Sequence, residues 1–128
     1  KIVSVSGSSK YYKGSIVSYA NELKTDFVGV SSSAIDDFGA VSKSVVEQMA
    51  LNGVKKLNID YCISTSGIAG PEGGSVEKPV GTVWIAVAKN DEVWSKKFNF
   101  GHSRNKNIES TVNYALNFLR RIMLGIND

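Results

Sequence analysis

Ser66-Gly67-Ile68-Ala69-Gly70-Pro71-Glu72-Gly73-Gly74-Ser75-Val76-Glu77-Lys78-Pro79-Val80-Gly81 gathers five of the chain's 12 glycines and both of its prolines into 16 residues. Apolar, strand-like runs flank it: Tyr61-Cys62-Ile63-Ser64 before, and Thr82-Val83-Trp84-Ile85-Ala86-Val87 after. Glycine admits positive φ and close backbone approach, while proline fixes φ and removes a donor. A loop of this length inside a compact domain is usually functional or disordered. Successive backbone N–H groups in such a loop can turn inward and form an anion-binding nest. A wide, solvated turn is the competing reading.

Outward from the loop, residues 60–66 read as a covered central strand, since they are largely apolar. Thr82–Ala88 and Glu92–Phe100 read as two strands joined at Lys89-Asn90-Asp91, a hairpin-length turn. The second of these alternates apolar and polar residues, which suggests a sheet edge. Upstream, Ser42–Leu57 carries Val45, Val46, Met49, Ala50 and Val54 at helical spacing behind the N-cap candidate Ser42. Gly53 interrupts that pattern without ending it. A short helix, Ala34–Phe38, precedes it, and another runs from Asn21 to Gly29. Gly14–Tyr19 alternates enough to predict a strand. Downstream, Ser103 or Asn105 starts a long helix with Ile108, Val112, Ala115, Leu116, Leu119 and Met123 as its apolar stripe. This order predicts one α/β domain over residues 1–128: a three-layer α/β/α sandwich with a mixed, mostly parallel sheet.

Composition narrows the function classes. The chain has 128 residues, 42% of them hydrophobic, and 15 Lys+Arg against 12 Asp+Glu give a formal net charge of +3. The basic residues are scattered as singles and pairs, so nucleic acid is not an expected partner. One Cys and one His exclude an intrachain disulfide and a Cys/His metal cluster. No apolar run is long enough to span a membrane and no signal peptide is visible, which fits a cytoplasmic protein. The chain opens on Lys1-Ile2-Val3-Ser4-Val5 without an initiator Met, as a piece of a longer protein would.

Several residues carry candidate chemistry. Tyr19 and Lys24 fall at the end of the predicted strand and in the first turns of the next helix, where open α/β sheets place ligands. A phenol and an ammonium in one cleft can shuttle a proton; a solvated lysine is the plainer alternative. Ser75-Val76-Glu77-Lys78 matches S-x-x-K, but that motif needs a helical turn, and here it is pinned between Gly-Gly and Pro. Ser64, Ser66 and Ser75 are the hydroxyls nearest the glycine loop. His102 has no fixed spacing to a serine or carboxylate and supports no triad. Gly101-His102-Ser103-Arg104 leads into the last helix, where free N–H groups and Arg104 can receive an anion or simply cap the helix. On backbone chemistry the substrate-binding candidates are Ser66, Gly67, Gly70, Gly73, Gly74 and Arg104.

The glycine loop, with Glu77-Lys78-Pro79-Val80-Gly81-Thr82-Val83-Trp84, resembles the signature of the CinA C-terminal domain family, the nicotinamide-nucleotide amidases. Gly7-Ser8-Ser9, Tyr19-Ala20-Asn21-Glu22-Leu23-Lys24 and Gly39-Ala40-Val41-Ser42 are similar to further family stretches, so the likeness covers nearly the whole chain. It weakens at 101–107, where many members have G-D-R and Arg104 stands for the arginine. The resemblance implies hydrolysis of the carboxamide of nicotinamide mononucleotide to nicotinic acid mononucleotide and ammonia, without metal or other cofactor. It also implies a serine nucleophile working with a Tyr and a Lys, which fall on Tyr19 and Lys24.

The family's serine lies in an A-E-S-C-T-G-G turn upstream of G-S-S, and no such segment occurs here. The expectation is therefore that the first strand of the sheet and the nucleophile precede residue 1, and that the chain alone is inactive. A domain that holds a nucleotide without turning it over is the alternative. Homo-oligomerisation and fusion to a second, N-terminal domain are both compatible with the family.

Overall fold

The computed structural model describes residues 1–126. Two 3-10 turns, Ile2–Ser4 and Ser8–Lys10, lead into irregular backbone and then α1 (Asn21–Asp26), α2 (Ser32–Phe38) and α3 (Lys43–Leu57). β1 (Tyr61–Gly67), β2 (Thr82–Lys89), β3 (Glu92–Asn99) and α4 (Arg104–Met123) complete the order. The sequence marks these helix starts well. Ser31, Ser42 and Ser103 are N-caps whose side chains accept from the backbone N–H three residues on, satisfying donors the helices leave free.

The sheet corrects the expected topology. Its order is β1-β2-β3 and both pairings are antiparallel, with Tyr61 opposite Lys89 and Thr82 opposite Asn99. A mostly parallel sheet is not what forms. Parallel neighbours need a crossover, usually a helix, whereas the 68–81 loop folds back and reverses the chain. The β2–β3 turn is tighter than a three-residue connection, because Lys89 pairs with Glu92 and leaves Asn90-Asp91 at the tip. Asn90 adopts the positive φ of 55° that such turns demand.

Two further expectations change. The covered central strand is β2, buried from Thr82 to Ala88 except for a half-buried Trp84; β1 is an edge strand, half-buried along most of its length. Gly14–Tyr19 does not form a strand, since it has no ladder partner among the described residues. Its alternation survives in burial all the same: Ile16 and Ser18 face inward while Val17 and Tyr19 are exposed. β3 does lie at the other edge of the sheet, as its alternation suggests.

Helices cover both faces of the sheet. On one, Val46, Ala50 and Val54 of α3 pack on Ala86 and Ala88. On the other, Ala115 and Phe118 of α4 pack on Val83, Ile85, Phe98 and Phe100. α3 comes close to β1 at Gly53, where a Cβ would lie 2.5 Å from Cys62 Sγ. The helix-weakening glycine is thus a packing requirement. The predicted stripe of α4 is only partly covered: Ala115 is buried, but Ile108, Val112 and Met123 are exposed.

Candidate functional site

Lys24 is the one buried charge of the domain's described part, at 7% exposure. α1 is short, and the chain ahead of it runs past its inner face, so the Lys24 ammonium reaches back rather than out. Its Nζ donates to the carbonyl of Ser18 at 2.7 Å and to that of Tyr19 at 3.2 Å. An ammonium has three donors, so one remains for another acceptor. No carboxylate among the described residues pairs with it, and burial pushes its pKa below the ordinary lysine value. The phenol of Tyr19 stands away from this contact and is 82% exposed. The structure therefore brings Lys24 to the backbone of Tyr19, not to its hydroxyl.

That burial has a consequence for pH. Folded Lys24 gives up its proton at lower pH than the unfolded chain does. Between the two values the unfolded state holds more protons, so stability rises with pH; below the folded value the full cost of the buried charge is present. The Cys62 thiol, held above its usual value by burial, acts in the opposite sense. Comparison of wild type with Lys24→Met isolates the lysine. In urea unfolding, wild type should gain on the variant as pH climbs toward 10.5, the ordinary lysine value. Parallel stability curves would remove the claim.

The glycine loop is closed at its neck by Ile68 N–H to Thr82 O at 2.9 Å and Gly81 N–H to Ile68 O at 2.8 Å. Inside it, Ser75 and Lys78 form a small turn: Ser75 N–H donates to Lys78 O, and Lys78 N–H to Ser75 Oγ. The Lys78 ammonium donates to Phe38 O, so the S-x-x-K spacing brings the Ser75 hydroxyl to the Lys78 backbone N–H and not to its ammonium. Gly70 and Gly74 are required by packing, since a Cβ would lie 2.4 Å from Val80 Cγ1 and 2.8 Å from Val80 N respectively. Gly73 has φ +91° and no such crowding. Gly67, at the end of β1, meets Val83 closely. Ser64 is spent on a structural bond to Val46 O at 2.5 Å, whereas the half-buried Ser66 hydroxyl has no partner among the described residues.

Arg104, the first residue of α4, donates from Nη1 to Gly70 O at 2.8 Å. Its other four N–H donors have no partner among the described residues. Next to it lies a residue the sequence reading passed over. Asn107 is 1% exposed; its Nδ2 donates to Ala69 O and His102 O, both at 2.9 Å, and its Oδ1 accepts from His102 N–H at 2.9 Å. A signal was present, because Asn107 and Thr111 share one helix face with the buried Ala115. Structure thus joins Arg104 to the loop. No hydrogen bond among the described residues joins this group to Tyr19 or Lys24. Nor do the described residues contain a cluster of three His, Cys, Asp or Glu able to hold a metal ion, and no helix among them is long and apolar enough to cross a membrane.

Known proteins resemble this chain in sequence and in fold. The family model of the CinA C-terminal domain matches residues 1–123. A CinA-like protein of Prochlorococcus marinus (strain AS9601) is 47% identical over 127 residues, covering 97% of this chain and 30% of that protein. A CinA-like protein of Flavobacterium psychrophilum is also 47% identical, over 123 residues, covering 96% and 29%. The chain therefore spans about 30% of the length of the curated relatives it matches. Among solved structures, the competence/damage inducible protein CihA of Agrobacterium tumefaciens superposes with a TM-score of 0.90 at 33% identity, over 98% of this chain and 75% of that one. The CinA superfamily protein ECK1530/EC0983 of Escherichia coli gives 0.90 at 26% identity, over 94% and 70%. With matched sequence, matched fold and the glycine loop in place, the chain belongs to the CinA C-terminal domain family.

Proposed function

We propose that this domain forms the body of an amidase that hydrolyses the carboxamide of nicotinamide mononucleotide to nicotinic acid mononucleotide and ammonia. The observation that carries the reading is Lys24: a buried ammonium with no carboxylate partner among the described residues, its pKa lowered by burial toward the neutral amine that can accept a proton. A serine hydroxyl adds to the carboxamide carbon as its proton passes to the Lys24 amine. The C–N bond then breaks, and that proton leaves with the nitrogen as ammonia. Water hydrolyses the resulting acyl ester, regenerating serine and releasing the carboxylate. Tyr19 relays a proton or stabilises developing charge, and the Gly67–Gly74 loop with Ser66 and Arg104 grips the nucleotide. The reaction requires no cofactor from these residues.

The serine comes from a segment preceding Lys1. Support for this lies in β1, whose outer edge is unpaired among the described residues. Beside that strand runs an apolar groove of about 390 Å³ lined by Ile2, Val3, Tyr12, Ile63, Ala115 and Leu116, room for further chain. The solved relatives are also longer than the matched region. The second reading, a nucleotide-holding module without chemistry, is favoured by one observation: the described part of the glycine loop offers only Ser66 as a free neck hydroxyl, with no base bonded to it.

Titration calorimetry of nicotinamide mononucleotide against the complete protein, paired with an ammonia assay, separates the two. Binding with stoichiometric ammonia release is expected. Binding without turnover would favour the module; neither binding nor turnover would overturn both.

A further inference from the structure

Asn107 has the features of a latch. It is almost completely buried, and its side-chain bonds run in two directions at once. One, from Nδ2 to Ala69 O at 2.9 Å, reaches the glycine loop just past the neck. The other two, from Nδ2 to His102 O and from His102 N–H to Oδ1, tie down the segment leading into α4. One turn earlier on the same helix face, Arg104 holds the next loop carbonyl, Gly70 O, at 2.8 Å. Adjacent carbonyls of the loop are thus both held by α4, and α4 in turn is fixed to the sheet through Ala115 and Phe118. A buried amide that satisfies three specific bonds costs little as it stands. It becomes expensive when its partners are removed, because the Asn107 amide is itself almost fully buried and would be left without bonds. Such a group specifies one arrangement.

We infer that Asn107 is a positioning residue: through Ala69 O it holds the glycine loop in its binding-competent shape, and so sets affinity for the nucleotide rather than the rate of the chemical step. The inference rests on the amidase reading for its substrate, but not for its effect on the loop. Asn107 contacts no group assigned to the proton transfers. Lys24 makes its bonds to Ser18 and Tyr19, on another part of the molecule, so the loop can loosen while Lys24 stays in place.

The test uses the complete protein and two variants. Asn107→Asp keeps the shape, loses both N–H donors and sets a carboxylate against the carbonyls of Ala69 and His102. Asn107→Ser is smaller and neutral and no longer reaches Ala69 O, so it serves if the charged variant fails to fold. Hydrogen exchange of the neck amides Ile68 and Gly81 should accelerate at least about tenfold, while β2–β3 amides such as Ile85 keep wild-type protection. KM for nicotinamide mononucleotide should rise at least about tenfold with kcat within about threefold. Unchanged exchange at the neck overturns the latch, as does a fall in kcat at constant KM. Loss of protection in β2–β3 together with the neck would assign Asn107 a global structural role and also overturn it. If wild type shows no ammonia release and no nucleotide binding, the amidase reading fails by itself, and neck exchange alone then decides the latch.

Discussion

Lys24→Ala in the complete protein should lower ammonia release by about 10²–10⁴-fold, the range typical of a lost general acid–base group. The thermal unfolding midpoint should stay close to that of wild type. The two expectations have separate physical grounds. Activity falls because Lys24 is the one buried lysine among the described residues, so nothing replaces the amine as proton acceptor. Stability changes little because two effects oppose each other. Two charge-assisted bonds to Ser18 O and Tyr19 O are lost, each worth about 1.5–3 kcal/mol. Removing a buried charge meanwhile lifts a desolvation cost of several kcal/mol. Far-UV circular dichroism and a thermal scan check the second part; an ammonia assay checks the first. Wild-type turnover in the alanine variant would end the assignment of Lys24 as base.

Gly81→Ala should be the most disruptive single methyl in the loop region. Gly81 has φ +94°, and a Cβ built there lies 2.3 Å from Gly101 N and 3.0 Å from Gly101 Cα. Both obstacles are backbone, so no rotamer change relieves them. Left-handed strain costs about 1–2 kcal/mol, and overpacking adds about 1–3 kcal/mol. A loss of about 2–5 kcal/mol in urea unfolding is expected from these terms. The loss would fall on the junction that aligns loop and sheet, since Gly81 N–H bonds Ile68 O and Phe100 N–H bonds Gly81 O. Gly7→Ala is the matched control: φ is +85°, but nothing lies within 4 Å of the added carbon. Only the conformational term of about 1–2 kcal/mol should appear there. Equal losses in both variants would show that crowding at Gly101 is not the cause.

The candidate residues could be named from the sequence, but the contacts each makes could not. The Ser66–Gly81 stretch identifies the family because its glycines cannot be exchanged freely: Gly70 and Gly74 pack on Val80, and Gly81 packs on Gly101. The same stretch read as an anion nest overstates its freedom, since those glycines answer to neighbouring chain as well as to any ligand. Tyr19 and Lys24 are visible as a pair in sequence, five residues apart, yet spacing says nothing of which atom the ammonium meets. It meets two carbonyls. Asn107 escaped notice because an asparagine on a polar-rich helix looks like surface until its neighbours are known.

What sequence by itself determined were the local decisions. Ser31, Ser42 and Ser103 start helices, Asn90 turns the hairpin, and the apolar spacing of Val46, Ala50 and Val54 fixes which face of α3 is buried. These depend on bonds and contacts reachable within a few residues. Tertiary structure alone decided the direction of β1 against β2, the failure of Gly14–Tyr19 to join a ladder, the burial of Lys24 and the grip of Asn107 on Ala69. Each of these needs a partner whose place no local pattern encodes: strand direction follows from how the 68–81 loop closes, and Asn107 meets a carbonyl 38 residues away. Local propensity can choose an element, but the energy that seats a buried polar group comes from the particular atoms the fold brings to it.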